Sequence, residues 1–375
     1  MTMTAETLRR QDGVTPDAGR RTHLTGEIYT SPEVAERERT VIFGRHWLMA
    51  ARAEELAKVG DYMTLDVAGE SVVIARDSET SISAFMNVCL HRGAELVQGC
   101  GNARKLSCPY HSWSYDMAGR LLAAPRAETA GFDPKGQRLD PVRTAQWRGW
   151  VFINLDPNGE SFEDFIRQWD EELWYYRADK CRLAFKTETI FACNWKYVVE
   201  NVMDYYHAQT VHFASFGKQF DFSAGPLPLK EMPKGGASVQ FDTKGRINDP
   251  LTFPRLPWLE DRPDFGAGKA AIFPNINLFS NTESIRTSTF WPVDENHMKL
   301  VLYFLLPEDA FAVEDYEAKR DRYRAITLQI AGEDKEVMES LQRNSKSAHF
   351  KPGPIVDLET PIRHMQDYYL SVMNG

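Results

Sequence analysis

The sequence has few cysteines and no long apolar stretch, and both absences limit what the protein can be. Its 375 residues include five cysteines, an odd and thinly spread set that argues against a disulfide framework and for metal or catalytic use. No run of roughly eighteen apolar residues occurs, and the N-terminal residues lack the apolar centre of a secretory signal. These features predict a soluble, cytoplasmic protein without a transmembrane segment.

An excess of positive charge is also missing. The formal net charge is −9, whereas a nucleic-acid-binding protein would need a concentrated basic face. With 43% hydrophobic residues, the chain is long enough to bury a large core and to form two domains of ordinary size. We therefore expect a two-domain protein that binds neither nucleic acid nor membrane.

The pattern of the sequence changes twice along the chain and predicts an α+β protein. Residues 1–45 begin polar and then carry a helix-start signal, Ser31 followed by Pro32, which predicts a helical lead-in that packs on the second domain. Residues 46–155 consist of short alternating runs and predict a small all-β domain. Residues 156–375 mix strands with helices over about 194–208 and 312–345, which predicts an α+β domain.

Two short segments each place a cysteine close to a histidine: Cys89-x-His91 and, after sixteen intervening residues, Cys108-x-x-His111. A structural zinc site usually groups like ligands, as C-x2-4-C followed by H-x3-5-H, so mixed pairs fit it less well. Four unconnected core residues would not explain the turn-forming glycines and proline beside them. A [2Fe-2S] cluster with both cysteines on one iron and both histidines on the other requires this composition.

These segments and their flanks, "NVCLHRGAELVQG" and "LSCPYHSWSYDMAGRLLAAP", resemble the Rieske non-haem iron oxygenases, the aromatic-ring-hydroxylating dioxygenase α-subunit family. The resemblance covers nearly the whole chain. It implies a Rieske domain over residues 46–155, with a cluster bound by the two cysteines and two histidines. It also implies a catalytic domain over residues 156–375, with a helix-grip (START/Bet v1-like) fold, an antiparallel sheet and a long C-terminal helix.

A Rieske cluster would give the chain a role in electron transfer. Two neutral imidazoles in place of thiolates raise the reduction potential of the cluster, which suits an acceptor of electrons from a ferredoxin or flavin reductase. NAD(P)H would then be used indirectly, through that reductase. We expect His91 and His111 near the surface because electrons leave through them, whereas Trp113 and Tyr115 either shield the sulfurs or are ordinary core aromatics.

The segment "NWKYVVENVMDYYHAQTVH", residues 194–212, carries a carboxylate and two histidines on a predicted helix. Asp204 and His207 would share a helix face, and His212 would lie off that face unless the helix bends or ends. Two histidines and a carboxylate are the donor set of mononuclear non-haem Fe(II). The pattern E-N-x-x-D-x-x-H-x4-H matches the oxygenase family, which implies that both histidines bind iron and that Asp204 is a bridging carboxylate. Asn201 either points an oxygen towards the iron or makes a bond within the helix.

The third iron ligand must be a carboxylate near the C-terminus. By its place before Met338 and Glu339, the resemblance favours Asp334, with Glu333 as the alternative. Asp357 and Glu359 are expected on a solvated tail.

The resemblance also implies a head-to-tail homotrimer, in which His111 of one chain donates to Asp204 of the next and Asp204 accepts from His207. Some relatives that act on quaternary ammonium compounds have glutamate at the bridge, and the aspartate here weighs against that substrate class. Five aromatic residues could line an apolar substrate pocket or belong to the core: Tyr205, Phe213, Phe216, Phe220 and Phe222.

We therefore predict the terminal oxygenase of a Rieske system, which activates O2 and hydroxylates or oxidatively demethylates a small organic substrate. The N-terminal segment "GEIYTSPEVAERERTVIFGRHWLMAAR" is similar to the branch that contains choline- and betaine-type oxygenases. A cis-dihydroxylating dioxygenase of an aromatic acid is the alternative within the same class. From other classes, a Rieske electron carrier without its own chemistry and a zinc-stabilised binding module stay open.

Overall fold

The chain divides into two compact units, which account for the α+β class predicted from the sequence. The computed structural model describes residues 22–67, 69–217, 227–242 and 253–375. One unit is Phe43–Phe165, and the other joins the N-terminal residues through Ile42 to Ile166–Gly375. Each unit has its own antiparallel sheet.

The smaller unit is built from strands. One sheet has the order β1-β10-β9-β4-β3-β2-β5, and a three-stranded sheet has the order β6-β7-β8. The tight hairpin between β9 and β10 turns at Arg148 and Gly149, which both have positive φ (49° and 79°), as a two-residue hairpin turn that matches the strand twist requires. The strands are β1 (Leu48–Arg52), β2 (Asp61–Val67), β3 (Glu70–Arg76), β4 (Ile82–Met86), β5 (Cys100–Asn102), β6 (Leu106–Ser107), β7 (Ser114–Tyr115), β8 (Leu121–Ala123), β9 (Pro141–Trp147) and β10 (Trp150–Asn154).

The larger unit has one seven-stranded antiparallel sheet, in the order β11-β17-β16-β15-β14-β13-β12. Its strands are β11 (Cys181–Phe191), β12 (Lys230–Met232), β13 (Gly236–Asp242), β14 (Phe265–Ile272), β15 (Ile276–Asn281), β16 (Ile285–Asp294) and β17 (His297–Pro307). The α-helices of the described residues are α1 (Gly26–Thr30), α2 (Pro32–Glu38), α3 (Phe162–Asp170), α4 (Trp195–Met203), α5 (Ala208–Val211), α6 (Tyr316–Ser345) and α7 (Thr360–Asn374).

Helix α6 packs across the strands at one end of the sheet. Phe304 of β17 is fully buried, and its ring lies 5.1 Å from that of Tyr323 on α6. Phe185 of β11 stacks on Phe304 at 4.8 Å and extends the same apolar cluster. The sheet and α6 therefore enclose the interior of the larger unit, as a helix-grip fold requires.

Two helices begin at residues whose side chains cap the first turn. Ser31 Oγ accepts a hydrogen bond from the Val34 amide at the start of α2, with Pro32 at the first helical position. Asn194 Oδ1 accepts one from the Lys196 amide at the start of α4. The start predicted from Ser31 and Pro32 is confirmed.

A buried ionic network joins α2, α4 and α7 and holds α4 in place. Lys196 on α4 is 1% exposed and makes an ion pair with Glu38, the last residue of α2. The Glu38 carboxylate also accepts from the Trp195 indole at 2.8 Å and from the Tyr369 hydroxyl of α7 at 2.6 Å. Removal of one partner would leave a buried charge unpaired, which is strongly destabilising. The network therefore stabilises the position of α4, the helix that leads to Asp204 and the two histidines.

The C-terminus differs from the expectation of a solvated tail. Residues 360–374 form α7, whose Met365, Tyr369 and Met373 are fully buried. Apolar residues at helical spacing in "PIRHMQDYYLSVM" carried this signal, which the sequence analysis missed. No helix in the described ranges is long and apolar enough to cross a membrane.

Candidate metal centres

The two cysteine–histidine segments form two loops with the same backbone pattern. In the first, Cys89 accepts a hydrogen bond from the Gly93 amide and donates to the Ala94 carbonyl (2.9 and 3.0 Å). In the second, Cys108 accepts from Ser112 and donates to Trp113 (3.0 and 2.7 Å). Both loops therefore turn back on their cysteine over the same number of residues.

Each loop turns through one residue in the left-handed region. Gly93 has φ 73° and Ser112 has φ 62°. A Cβ atom on Gly93 would meet one atom, at 3.9 Å, so this glycine is required by its backbone conformation and not by lack of space. Serine at the equivalent position carries the strain that glycine avoids.

The loops bury the thiols and expose the imidazoles. Cys89 and Cys108 are 2% and 4% exposed, and neither forms a disulfide. His91 and His111 are exposed, as expected, and their ring centroids lie 4.6 Å apart. Two buried thiols and two converging imidazoles fit a [2Fe-2S] cluster with its histidine-ligated iron on the outside.

The aromatic residues beside the loops contact the predicted ligands directly. The Tyr115 hydroxyl accepts from the Leu90 amide at 3.0 Å and lies 3.3 Å from Cys89 Sγ. The Trp113 indole stacks on the His91 ring at 5.0 Å. Both aromatics are buried in one cluster with the cysteines, so they are core residues that also border the predicted cluster.

The predicted helix over 194–208 is wrong at its C-terminal end, because α4 stops at Met203. Asp204 has extended backbone dihedrals (φ −84°, ψ 118°), and its Oδ1 accepts from the amides of Tyr206 and His207 at 2.7 and 3.3 Å. Asp204 thus caps the turn that precedes α5. The carboxylate reaches His207 through this turn: Asp204 Oδ2 lies 3.1 Å from His207 Nδ1.

The end of helix α4 at Met203 also brings His212 close to His207. His207 begins α5 and His212 ends it, and their Nε2 atoms are 3.3 Å apart. Asp334 of α6 completes the group, with Oδ1 at 3.5 Å from His207 Nε2 and 3.2 Å from His212 Nε2. The three ligand atoms lie within 4.8 Å of one another, which fits a single metal ion.

Glu333 and Asp334 have different roles in the structure. Glu333 Oε2 lies 2.8 Å from His212 Nδ1 and accepts from Ser215 Oγ at 2.7 Å. Glu333 therefore holds the far side of an imidazole whose Nε2 faces Asp334. Glu359 lies elsewhere, 3.6 Å from His23, and Asp357 is exposed on the turn before α7.

The amide of Asn201, in the last turn of α4, borders the same group of atoms. Asn201 Nδ2 lies 3.2 Å from Asp334 Oδ1 and 3.3 Å from His207 Nε2. Asn201 therefore lies beside the predicted ligands, but its amide nitrogen, and not the expected oxygen, faces them.

The charges of these groups favour a bound cation. Burial opposes ionisation of Asp334, but hydrogen bonds from His207 and His212 outweigh it and hold the pKa of Asp334 well below its usual range. Burial also disfavours a charged His207, yet Asp204 and Asp334 raise the pKa of His207 to about 9. Carboxylates that attract a proton this strongly would equally stabilise a metal ion in its place.

The predicted pocket aromatics do not all lie together. Tyr205 is buried, with its ring 6.4 Å from Phe241, and the Phe216 ring stacks on His212 at 4.5 Å. Phe213 is 61% exposed, so it lies at the surface of the chain and not in an enclosed pocket. Phe220 and Phe222 lie outside the described residues.

Two cations near this site were missed by the sequence analysis. Lys269 lies with its Nζ 5.1 Å from the centroid of the Tyr205 ring, and Arg286 lies over the Phe279 ring at 4.2 Å. The sequence carries a signal for Lys269, because "FGAGKAAIF" places one lysine within an otherwise apolar strand.

Both parts of the chain match models of known protein families. Residues 46–143 match the family model of the Rieske [2Fe-2S] domain, and residues 167–375 match that of the ring-hydroxylating α-subunit catalytic domain. These matches confirm the predicted Rieske cluster and mononuclear iron as the cofactors of this class of protein. They favour an oxygenase over both the zinc-stabilised module and the electron carrier.

Among characterised relatives, the glycine betaine monooxygenase oxygenase subunit of Pseudomonas aeruginosa is 27% identical over 364 residues, covering 88% of this chain and 84% of its own. The carnitine monooxygenase oxygenase subunit of Escherichia coli K12 is 35% identical over 193 residues, 50% of this chain and 52% of its own. A crystal structure of a quaternary ammonium Rieske monooxygenase with L-carnitine aligns with a TM-score of 0.78 at 25% identity, over 96% of this chain and 97% of the other.

Proposed function

Because the chain belongs to the family of ring-hydroxylating oxygenase α-subunits, we propose that it is a monooxygenase that oxidises a C–H bond next to nitrogen in a small molecule, with loss of a methyl group. The observation that carries this proposal is the convergence of His207, His212 and Asp334 in a chain that also has the two cysteine–histidine loops. The similarity to the glycine betaine and carnitine enzymes supports demethylation over ring dihydroxylation.

We assign Cys89 and Cys108 to the inner iron of the cluster, and His91 and His111 to the outer iron. Support comes from the burial of the thiols and the exposure of the imidazoles. Electrons from a ferredoxin or flavin reductase, and so from NAD(P)H, would enter and leave on the imidazole side, since burial insulates the sulfurs.

We assign His207, His212 and Asp334 as ligands of the mononuclear iron. Ferrous iron held by these two histidines and the carboxylate would supply the reducing power that activates O2. One oxygen atom enters the C–H bond and the other leaves as water, with two electrons from the reductase and two protons. The N-methylol product then releases formaldehyde.

The side chains around the ligands orient them. Asp204 lies at Nδ1 of His207 and Glu333 at Nδ1 of His212 (3.1 and 2.8 Å), so each imidazole would keep a proton on Nδ1 and direct Nε2 to the metal. Asn201 would add a polar contact beside Asp334 and restrict how that carboxylate turns.

We further propose a head-to-tail homotrimer in which His111 of one chain meets Asp204 of the next. The exposed His111 ring and the 18% exposure of the Asp204 side chain are compatible with such a contact. The domain limits at 45/46 and 155/156, the N-terminal lead-in as part of the catalytic domain, and a cytoplasmic location stay predictions from the sequence.

The proposal is tested by metal analysis and EPR of the dithionite-reduced protein, followed by O2 uptake with a reductase. We expect about three irons per chain, two in a cluster with a Rieske-type signal and one at the histidine–carboxylate site. Formaldehyde should accompany O2 uptake with an N-methylated substrate. Two irons that do not increase with added Fe(II) would support an electron carrier, and a diol product would support the dioxygenase alternative.

A further inference from the structure

Three adjacent strands of the larger sheet place two cations in one row. Lys269 of β14 pairs directly with Phe279 of β15, and Phe279 pairs with Arg286 of β16. The register is regular across these pairs. Residues directly opposite one another in antiparallel strands have their side chains on the same face, so all three point to one side of the sheet.

This is the side of the sheet on which the iron ligands lie. The row continues from Arg286 to Phe304 of β17, which contacts Tyr323 of α6, the helix that carries Asp334. At the other end, Lys269 contacts the ring of Tyr205, two residues before His207. The two cations therefore line the interior between the sheet, α6 and the segment that follows α4.

Neither cation has an acidic partner within the described part of the chain. Lys269 and Arg286 contact the aromatic rings of Tyr205 and Phe279, and no hydrogen bond or ion pair joins either side chain to another described residue. Both keep partial exposure, in contrast to Lys196, which is fully buried and paired with Glu38. An enclosed, partly accessible and unpaired cation is costly unless a ligand supplies the counter-charge.

The electrostatics of the enclosure agree with this interpretation. Burial outweighs the attraction of Asp334 and Asp204 and lowers the pKa of Lys269 to about 8. Burial likewise lowers the pKa of Arg286 to about 10. Asp334 and Asp204 do not supply the missing counter-charge, because the charge of Asp334 would be matched by the metal that it binds and Asp204 faces His207.

A polar atom without a partner lies on the same face. Asn277 is two residues before Phe279 on β15, so its side chain points to the same side of the sheet. Its Oδ1 is buried and has no hydrogen-bond partner. Asn277 pairs with Ala271 and Ser288, two residues along from Lys269 and Arg286, so an oxygen without a donor lies on the face that carries the two cations and indicates space for a polar ligand there.

We propose that Lys269 and Arg286 bind the carboxylate of the substrate, so that this oxygenase acts on small molecules that carry one. The proposal rests on the iron site proposed above, since it names the class of substrate for that site. Arginine can bind a carboxylate through two parallel hydrogen bonds, and lysine adds a point charge. A trimethylammonium compound without an acid group would meet two like charges in the same enclosure.

The proposed carboxylate site favours substrates such as glycine betaine and carnitine over choline. Glycine betaine and carnitine each join a trimethylammonium group to a carboxylate, whereas choline has a hydroxyl group in its place. A zwitterion bound by its carboxylate at Lys269 and Arg286 would extend its methyl groups away from the cations. Because Lys269 contacts Tyr205, the aromatic ring lies where the cationic end could pass towards the iron ligands.

The test is anaerobic calorimetry of the full-length holoprotein with two matched pairs, glycine betaine against choline and benzoate against benzamide. We expect the acid of at least one pair to bind about tenfold or more tightly than its neutral or cationic partner. Lys269→Gln and Arg286→Gln should each weaken acid binding by about tenfold or more and leave benzamide unchanged, whereas choline binding should stay equal or tighten because a like charge is removed. Lys299→Gln is the matched control, because its register with Ile190 and Trp291 places it on the other face of the same sheet.

Folding of each variant is checked by its Rieske absorption spectrum and thermal midpoint, and Lys269→Arg, which keeps the charge, should retain acid binding. Equal or undetectable binding of all four compounds by the wild-type protein would overturn the proposal. Equal losses in the Lys299→Gln control would overturn it too.

Oxygen uptake distinguishes this inference from the proposed function. If an acid binds through Lys269 and Arg286 but no acid gives O2 uptake or formaldehyde, the carboxylate site stands and the proposed reaction is wrong. If glycine betaine is demethylated with equal kcat/KM by the wild type and by Lys269→Gln, the reaction stands and the carboxylate site is rejected.

Discussion

The two metal centres of this chain are built in opposite ways. The cluster loops come from 23 consecutive positions, 89–111, and their backbone bonds stay within each loop. The iron site joins residues 133 positions apart, Asn201 and Asp334, and needs the sheet and α6 between them. The cluster imidazoles are exposed, whereas His212 is 3% exposed. An electron-transfer site can be local and open, but a site that selects a substrate must be enclosed by distant elements.

The largest effects are expected when a metal ligand is removed, because one centre should be lost while the other stays intact. His207→Ala removes one of three ligands, so we expect loss of the mononuclear iron and of turnover, with the Rieske EPR signal intact. Cys108→Ser should do the reverse and remove the cluster signal. The control is His297→Ala, because His297 is 47% exposed and pairs with Asp294 away from both centres. A cluster signal lost together with the iron would show that the two centres are not independent.

Asp204→Asn tests the connection between the centres. The amide keeps the turn bonds to the Tyr206 and His207 amides through Oδ1, but it cannot carry the charge that faces His207 Nδ1. We expect both metals to stay bound while electron transfer from the cluster to the iron slows by about 100-fold. Reoxidation of the reduced cluster after mixing with O2 and substrate measures this rate. Asp264→Asn, at an exposed acid, should leave it unchanged.

Glu333→Gln weakens the enclosed site without removing a ligand. Loss of the carboxylate at His212 Nδ1 should lower the affinity for Fe(II) by about 10- to 100-fold, with the cluster unaffected. Competition with a chelator, followed by metal analysis, measures the affinity. Glu336→Gln changes an exposed acid on the same helix and should have no effect. Equal affinities in the two variants would remove Glu333 from the site.

Ligand binding at the enclosed site should also depend on pH. Because burial lowers the pKa of Lys269 to about 8, the lysine is charged below that pH and neutral above it. The affinity for a carboxylate should therefore fall as pH rises through about 8, by several-fold and up to about tenfold, while Arg286 stays charged to a higher pH. Calorimetry of the bound acid between about pH 6.5 and 9.5 measures this change, and Lys269→Gln should flatten it. A pH-independent wild-type affinity would contradict the assignment.

The smallest effects concern the two cluster loops, which share one backbone pattern. Gly93→Ala should destabilise the cluster domain by about 1–2 kcal/mol, since alanine is strained at φ 73°. Ser112→Gly relieves that strain at φ 62° but adds chain entropy to the unfolded state, so we expect a change within about 1 kcal/mol. Denaturant unfolding followed by the cluster absorbance measures both. A larger loss in Ser112→Gly would mean that the serine side chain holds the loop.

Local features of the structure were predictable from the sequence because their causes lie within a few residues. The cysteine and histidine spacings identified both loops, Ser31 and Pro32 identified the start of α2, and alternating runs identified the strands. The resemblance to the family supplied the cofactors and pointed to Asp334.

Tertiary structure decided the rest, because each remaining feature depends on elements far apart in the chain. Helix α4 ends at Met203 where Asp204 turns to cap the next segment, although the pattern of residues allowed a longer helix. Glu333 and Asp334 are adjacent acids, and only the orientation of α6 places one at Nδ1 and the other at Nε2 of His212. Lys269 and Arg286 are unremarkable as single residues, and only the register of three strands places both cations in one row beside the iron ligands.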